Sequence, residues 1–213
     1  MLTINEIFYS VQGESSYAGR PCVFVRLTAC DLRCSWCDTP YAFNEGGKRS
    51  LEDVLAEVDR IACPLVEVTG GEPLLQEDVY PLMQALLDRG RTVLLETGGH
   101  RSIARVPQAV VTILDVKCPG SGEAAKTDWT NLDRLRPHDE VKFVIKDRAD
   151  YDYARDVISR YGLAERAAAI HLSPVHDVMH PRTLSEWVLQ DSLPVRVQLQ
   201  LHKYIWDPAT RGV

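Results

Sequence analysis

The sequence predicts an α/β fold: an incomplete, TIM-like barrel of parallel strands with about six strand–helix units. Three observations lead there. Short apolar runs alternate along the chain with amphipathic stretches. Most of the runs lack the strict polar alternation of a half-solvated sheet, which suits strands covered on both faces. Polar residues able to hold a ligand gather just beyond the runs, where sites form in parallel α/β folds.

The strands are read in order at "CVFVRLT" (22–28), "PLVEVT" (64–69), "TVLLET" (92–97), "VVTILDVK" (110–117), "EVKFVIK" (140–146), "AAIHLS" (168–173) and "VRVQLQL" (195–201). Between them, "SLEDVLAEVDRIA" puts Leu51, Val54, Leu55, Val58 and Ile61 on one helical face, with Ser50 and Asp53 as a capping box. "QEDVYPLMQALLDRG" and "DYDYARDVISRYG" end in Gly90 and Gly162, as helices often do, and "PRTLSEWVLQD" has Pro181 near its start. Strands alternating with such helices are βαβ units. A full eight-fold barrel usually takes ~250 residues, and the chain has 213. An open doubly wound sheet also fits the alternation. Loop placement favours the barrel, because a cysteine-rich loop, "TGGEP", "ETGG", "KCPGS", "SPV" and "HKY" fall on one rim.

The composition is that of a globular chain, with 45% hydrophobic and 25% charged residues. A net charge of −6 argues against business with a nucleic-acid backbone, while leaving room for a local basic pocket. No signal peptide is read at "MLTINEIFYS", and no apolar run approaches the roughly 18 residues of a membrane helix. Six cysteines without a secretory context point to a reducing cytoplasm, where clustered thiols mean metal or redox chemistry.

Three of those cysteines, Cys30, Cys34 and Cys37, are spaced C-x₃-C-x₂-C. A structural zinc site wants four ligands, commonly in two pairs, and here only Cys118 on another rim loop could complete it. Three thiolates also suit a [4Fe–4S] cluster whose fourth iron is left open to bind a cofactor or substrate. One strand later comes "VTGGEPLL" (68–75), in which Gly70 and Gly71 let the backbone approach a ligand closely. Its plain alternative is a strand ending in a turn, with Glu72 and Pro73 opening a helix.

The cysteine loop with Trp36 before its last thiol, followed by the GGE segment, resembles the radical S-adenosylmethionine (SAM) enzymes. The resemblance implies a cluster on Cys30, Cys34 and Cys37 that chelates SAM and cleaves it to a 5′-deoxyadenosyl radical. It narrows at "EIFYSVQGES" (6–15), "GRPCVFVRL" (19–27), "CSWCDT" (34–39) and "QLHKY" (200–204), which look like the 7-carboxy-7-deazaguanine synthase family of the queuosine pathway. That narrower likeness covers residues 4 to about 204. It implies conversion of 6-carboxy-5,6,7,8-tetrahydropterin to 7-carboxy-7-deazaguanine, with loss of ammonia and with Mg²⁺ as a further cofactor.

Carried over by position, Gln12 and Glu14 would read the pterin ring, Arg26 its carboxylate, and Thr69 and His202 would add substrate contacts. Thr39 would ligate magnesium. Trp36, Gly70, Gly71, Glu72, Glu96, Lys117, Ser121 and Ser173 would contact SAM. Lys142 lies within its strand, so only its side-chain direction decides whether it joins them. Each has a plainer reading: Gln12–Glu14 as a turn, Arg26 as a structural ion pair, Asp38 and Thr39 as turn formers. The resemblance further implies a flavodoxin or ferredoxin reductant and a homodimer, with no direct nucleic-acid or membrane partner. The whole of 1–213 reads as a single radical SAM domain, with a substrate-binding segment at about 1–20 and a tail at about 202–213. Ala29 and Ser15 stand where the family pattern has glycine, a departure that matters only if φ is positive there. Two rivals are a glycyl-radical activase, which would not need Gln12, Glu14 and Arg26, and a zinc module using Cys118.

Overall fold

The computed structural model describes residues 1–213. Seven parallel strands form the predicted framework: β2 (Pro21–Leu27), β4 (Leu65–Gly70), β5 (Thr92–Thr97), β6 (Val111–Asp115), β7 (Glu140–Ile145), β8 (Ala169–Pro174) and β9 (Arg196–Val197). Two antiparallel strands complete the sheet, β1 (Leu2–Val11) and β3 (Gly47–Arg49), in the order β3-β1-β2-β4-β5-β6-β7-β8-β9. The sheet does not close on itself, as expected of a partial barrel.

The helices are α1 (Leu51–Asp59), α2 (Val79–Asp88), the short α3 (Thr130–Asp133), α4 (Arg148–Tyr161), the one-turn α5 (Leu163–Arg166), α6 (Pro181–Asp191) and α7 (His202–Ile205). Ser50 Oγ accepts the Asp53 amide at 3.1 Å, so the predicted cap on α1 forms. Gly162 ends α4 at φ +58° in the left-handed region. The connection from β5 to β6 has no helix, which brings Gly98 and Gly99 directly over the rim.

Alternate residues of a strand share a face. Outward residues such as Val66, Val68, Leu95, Leu114 and Leu172 join the helices in one continuous apolar core. The inward face is different: Thr69 lies beside Arg26, and Lys142 beside Asp115 and His171. Polar groups are therefore buried inside the barrel, where they must find partners.

The segment expected only as a substrate-binding stretch at 1–20 is mostly strand β1. A bulge between Ile4 and Glu6 shifts its register, so that Glu6 faces Arg26 and Phe8 faces Phe24, their rings stacked at 4.8 Å. The following loop, residues 12–20, reaches across the gap between the sheet's two ends. Ser15 exchanges two hydrogen bonds of 2.7 Å with the Gln198 amide, just past β9. Gly13 O accepts the Leu201 amide at 2.9 Å, and Glu140 on β7 accepts the Ser16 amide at 3.0 Å. The last predicted strand, 195–201, shrinks to two residues because its remaining polar groups turn to this loop.

Candidate active site

The rim loops enclose a cavity of about 750 Å³. Cys30, Cys34 and Cys37 stand on its wall, half-buried and unbridged, beside Trp36 and Thr39. No three His, Cys, Asp or Glu side chains converge on one ion-sized point. A cluster places each thiolate on a separate iron, so a spread triad on a cavity wall fits it where a single zinc ion would not. Cys118 packs into the apolar core and does not reach the cavity, which removes the fourth ligand of the zinc alternative.

The cysteine loop is held by backbone bonds. Ser35 N donates to Ser121 O at 3.0 Å, Arg33 N to Glu123 Oε1 at 2.6 Å, and Ala29 N to Ala42 O at 2.9 Å. Ala29 adopts φ +81° and Ser15 φ +61°, so both departures from glycine fall where the backbone is left-handed. Ala29→Gly is therefore expected to raise stability by about 0.5–1 kcal/mol, read as a higher urea midpoint with unchanged slope.

Gly70 is required by the end of β2 and Gly71 by the cysteine loop. A Cβ on Gly70 would lie 2.3 Å from Leu27 O, and one on Gly71 would lie 2.3 Å from Ala29 O. The close approach at Gly71 is thus to the cysteine loop itself, with Glu72 N donating to Ala29 O at 2.8 Å. Both glycines also touch the cavity.

Three residues expected at SAM do not line the cavity. Glu72 is fully buried off the cavity, its carboxylate accepting from Leu74 N, Thr97 Oγ1 and Gly98 N at 2.9–3.0 Å. The tight turn at Gly70–Gly71 aims it inward, so it braces the rim. Ser121 Oγ donates to Cys118 O at 2.6 Å within its own turn. Ser173 is buried on β8 with its hydroxyl unpartnered and away from the cavity. Glu96, Lys117, Thr97 and Thr69 do line the cavity.

The same cavity holds a charged cluster built on Lys142. Its ammonium donates to Glu14 Oε2 at 2.7 Å and Glu96 Oε1 at 2.5 Å, with Asp115 Oδ2 at 3.7 Å. Asp115 pairs more closely with Lys117, at 2.7 Å. Burial pushes the Glu14 carboxyl up, but Lys142, His202 and hydrogen bonds from Gln200 and Lys142 outweigh it and draw it down to about 2. Burial lowers the His202 imidazole against the pull of Glu14 and Asp38. Arg26 spends Nε on Glu6 at 2.8 Å, and its terminal nitrogens have no protein acceptor. The structural ion pair and a free guanidinium edge thus coexist. Lys203 pairs with Asp38 at 2.7 Å, and residues 208–213 line part of the cavity, where Arg211 stacks 3.9 Å above Tyr41.

A radical SAM superfamily model matches residues 25–117. A 7-carboxy-7-deazaguanine synthase of Koribacter versatilis is 51% identical, covering 100% of both chains. One of Chlorobaculum tepidum is 46% identical, over 100% of this chain and 97% of its own. The chain belongs to the 7-carboxy-7-deazaguanine synthase family. QueE from Escherichia coli has the same fold, with a TM-score of 0.79 at 24% identity over 94% of each chain.

As a member of the 7-carboxy-7-deazaguanine synthase family, the chain is a radical SAM enzyme that uses a [4Fe–4S] cluster and SAM. Its cavity brings together two sets of groups that match two tasks, the three thiols and a lysine-centred set of carboxylates. No helix is long and apolar enough to cross a membrane. Glu67 and Asp115 also line the cavity and are not foreseen from the sequence. Their signal was present: a carboxylate inside an apolar strand, two residues from a rim position already singled out.

Proposed function

We propose that the chain converts 6-carboxy-5,6,7,8-tetrahydropterin to 7-carboxy-7-deazaguanine with loss of ammonia. The observation that carries this reading is the single cavity joining the cysteine triad to Glu14, Arg26 and Lys142. When bound, the cluster and SAM supply one-electron reductive cleavage of SAM to a carbon radical able to abstract hydrogen. The residues of this chain then bind, orient and shield the substrate.

Glu14, held ionised, accepts the paired N–H groups of an aminopyrimidinone, and Arg26 presents its free terminal nitrogens to the substrate carboxylate. Gln12 sets the direction of Glu14, because its Oε1 accepts the Glu14 amide at 3.0 Å. Thr69 and His202 border the same space. On the cofactor side, Trp36, Gly70, Gly71, Glu96 and Lys117 would surround SAM. Thr39 Oγ1, whose one side-chain hydrogen-bond contact is the long one to Cys37 Sγ at 4.0 Å, offers an oxygen to Mg²⁺. The strap of residues 208–213 excludes water from the radical step.

The wider reading is a single radical SAM domain over 1–213, acting in the cytoplasm as a homodimer and reduced by a flavodoxin or ferredoxin. The test is anaerobic incubation of the reconstituted, reduced protein with SAM, Mg²⁺ and 6-carboxytetrahydropterin. Formation of 7-carboxy-7-deazaguanine is the expected mass-spectrometric result; 5′-deoxyadenosine alone would retain the radical core and refute the pterin. Arg26→Ala is expected to raise KM about 10–100-fold while leaving iron content and SAM binding unchanged. An unaltered KM would remove Arg26 from the site.

A further inference from the structure

Five Asp and Glu side chains line the cavity, and four of them have a lysine ammonium within 2.7 Å: Glu14 and Glu96 with Lys142, Asp38 with Lys203, and Asp115 with Lys117. Glu67, only 3% exposed on β4, has no cation in contact. Its one hydrogen bond is from Gln12 Nε2 to Oε2. Because Gln12 Oε1 is committed to the Glu14 amide, the orientation of that bond is fixed. Glu67 Oε2 is therefore the acceptor oxygen, and Oε1 is left without a protein partner.

We propose that Glu67 is a neutral carboxylic acid whose Oε1–H donates to the substrate, making it a specificity-determining residue. A buried carboxyl without a cation is driven to its uncharged form. Burial, Glu96 and Glu14 all push the Glu67 carboxyl well above the usual range, and Lys142 and Arg26 oppose them. The Cys22 thiol on β2 is the remaining titratable neighbour.

The inference rests on the pterin reading and extends it. An aminopyrimidinone edge presents two N–H donors followed by a carbonyl acceptor. Glu14, an ionised acceptor, can serve only the first two. The carbonyl needs a donor beside Glu14, and the amide and ammonium donors there are already given to carboxylates: Gln12 Nε2 to Glu67, Gln200 Nε2 to Glu14, and the Lys142 ammonium to Glu14 and Glu96. The acid proton of Glu67 completes the match. A ring with an amino group in place of that carbonyl would meet a donor with a donor.

The test uses the reconstituted, SAM-loaded protein and pterin-6-carboxylic acid as a probe that does not turn over. Its affinity is measured for wild type, Glu67→Gln and Glu67→Ala between pH 6.5 and 9.5. Iron content and far-ultraviolet dichroism verify the fold. Glutamine keeps an acceptor for Gln12 and a donor for the cavity. Glu67→Gln is thus expected to bind within about threefold of wild type at pH 7, and Glu67→Ala about 30-fold more weakly. As pH rises, wild type should lose affinity relative to Glu67→Gln, a ratio from which titration of the probe cancels. Glu67→Gln binding as weakly as Glu67→Ala, or all three binding alike, would overturn the proposal while wild-type binding upheld the pterin reading. Failure of wild type to bind the probe or to turn over the tetrahydropterin would remove both.

Discussion

Lys142→Met is expected to cost about 3–5 kcal/mol of folding stability, because it removes the shared partner of a buried charged set. Glu14 and Glu96 would each lose their ammonium, and Asp115 a more distant one. Methionine fills similar volume, so the loss reports charge rather than packing. Urea unfolding of the apo-protein at pH 7 measures it directly. The penalty should shrink as the pH falls and the stranded carboxylates take up protons. A loss below about 1 kcal/mol at neutral pH would mean that these carboxylates are not charged together in the folded state. The same substitution should weaken pterin binding, since Glu14 loses the cation that holds it ionised and in place.

Cys34→Ala is expected to remove the stable cluster and lower SAM cleavage by more than about 1,000-fold, and so should Cys30→Ala and Cys37→Ala. Iron and sulfide counted per chain after anaerobic reconstitution, with 5′-deoxyadenosine formation, provide the readout. Cys118→Ala is the control. Its thiol lies in the core, so iron content should stay at the wild-type level while stability falls modestly through the lost packing. Retained SAM cleavage in any variant of the triad would contradict the cluster assignment. Iron lost equally from Cys118→Ala would bring the fourth-ligand reading back.

The parallel strands were legible because burial on both faces makes apolar runs, and both flanking glycines of α2 and α4 marked their ends. Strand β1 was not read, since "LTINEIFYSV" carries a bulge that breaks its alternation and lies next to the edge of the sheet. In the site, the sequence located rim positions but not side-chain directions. Glu72 and Ser121 stand in rim turns yet point into the protein, because local backbone groups claim them, while Ser173 is buried on the inward face of β8 without reaching the cavity. Lys142 shows the reverse, a mid-strand residue whose inward parity brings it to the centre. Glu67 was legible in principle, two residues before Thr69 on the same face, but a single strand gives no means of telling inside from outside. The glycines at 70 and 71 were read as letting the backbone approach a ligand, whereas what the structure brings against them is the chain itself, the end of β2 at Gly70 and the cysteine loop at Gly71.

The loop at 12–20 that bridges the sheet's open ends has a kinetic and thermodynamic consequence. Ser15 and Gln198 are 183 residues apart, so the residues that read the substrate are fixed only when the last part of the chain docks. Such a long-range closure comes late and at high entropic cost. Recognition and completion of the barrel are one event, and a bound pterin acts as a latch across the seam. Ligand should accordingly slow amide exchange at residues 196–202 more than in the remote helix α2, making this short terminal stretch the part of the protein whose order reports occupancy.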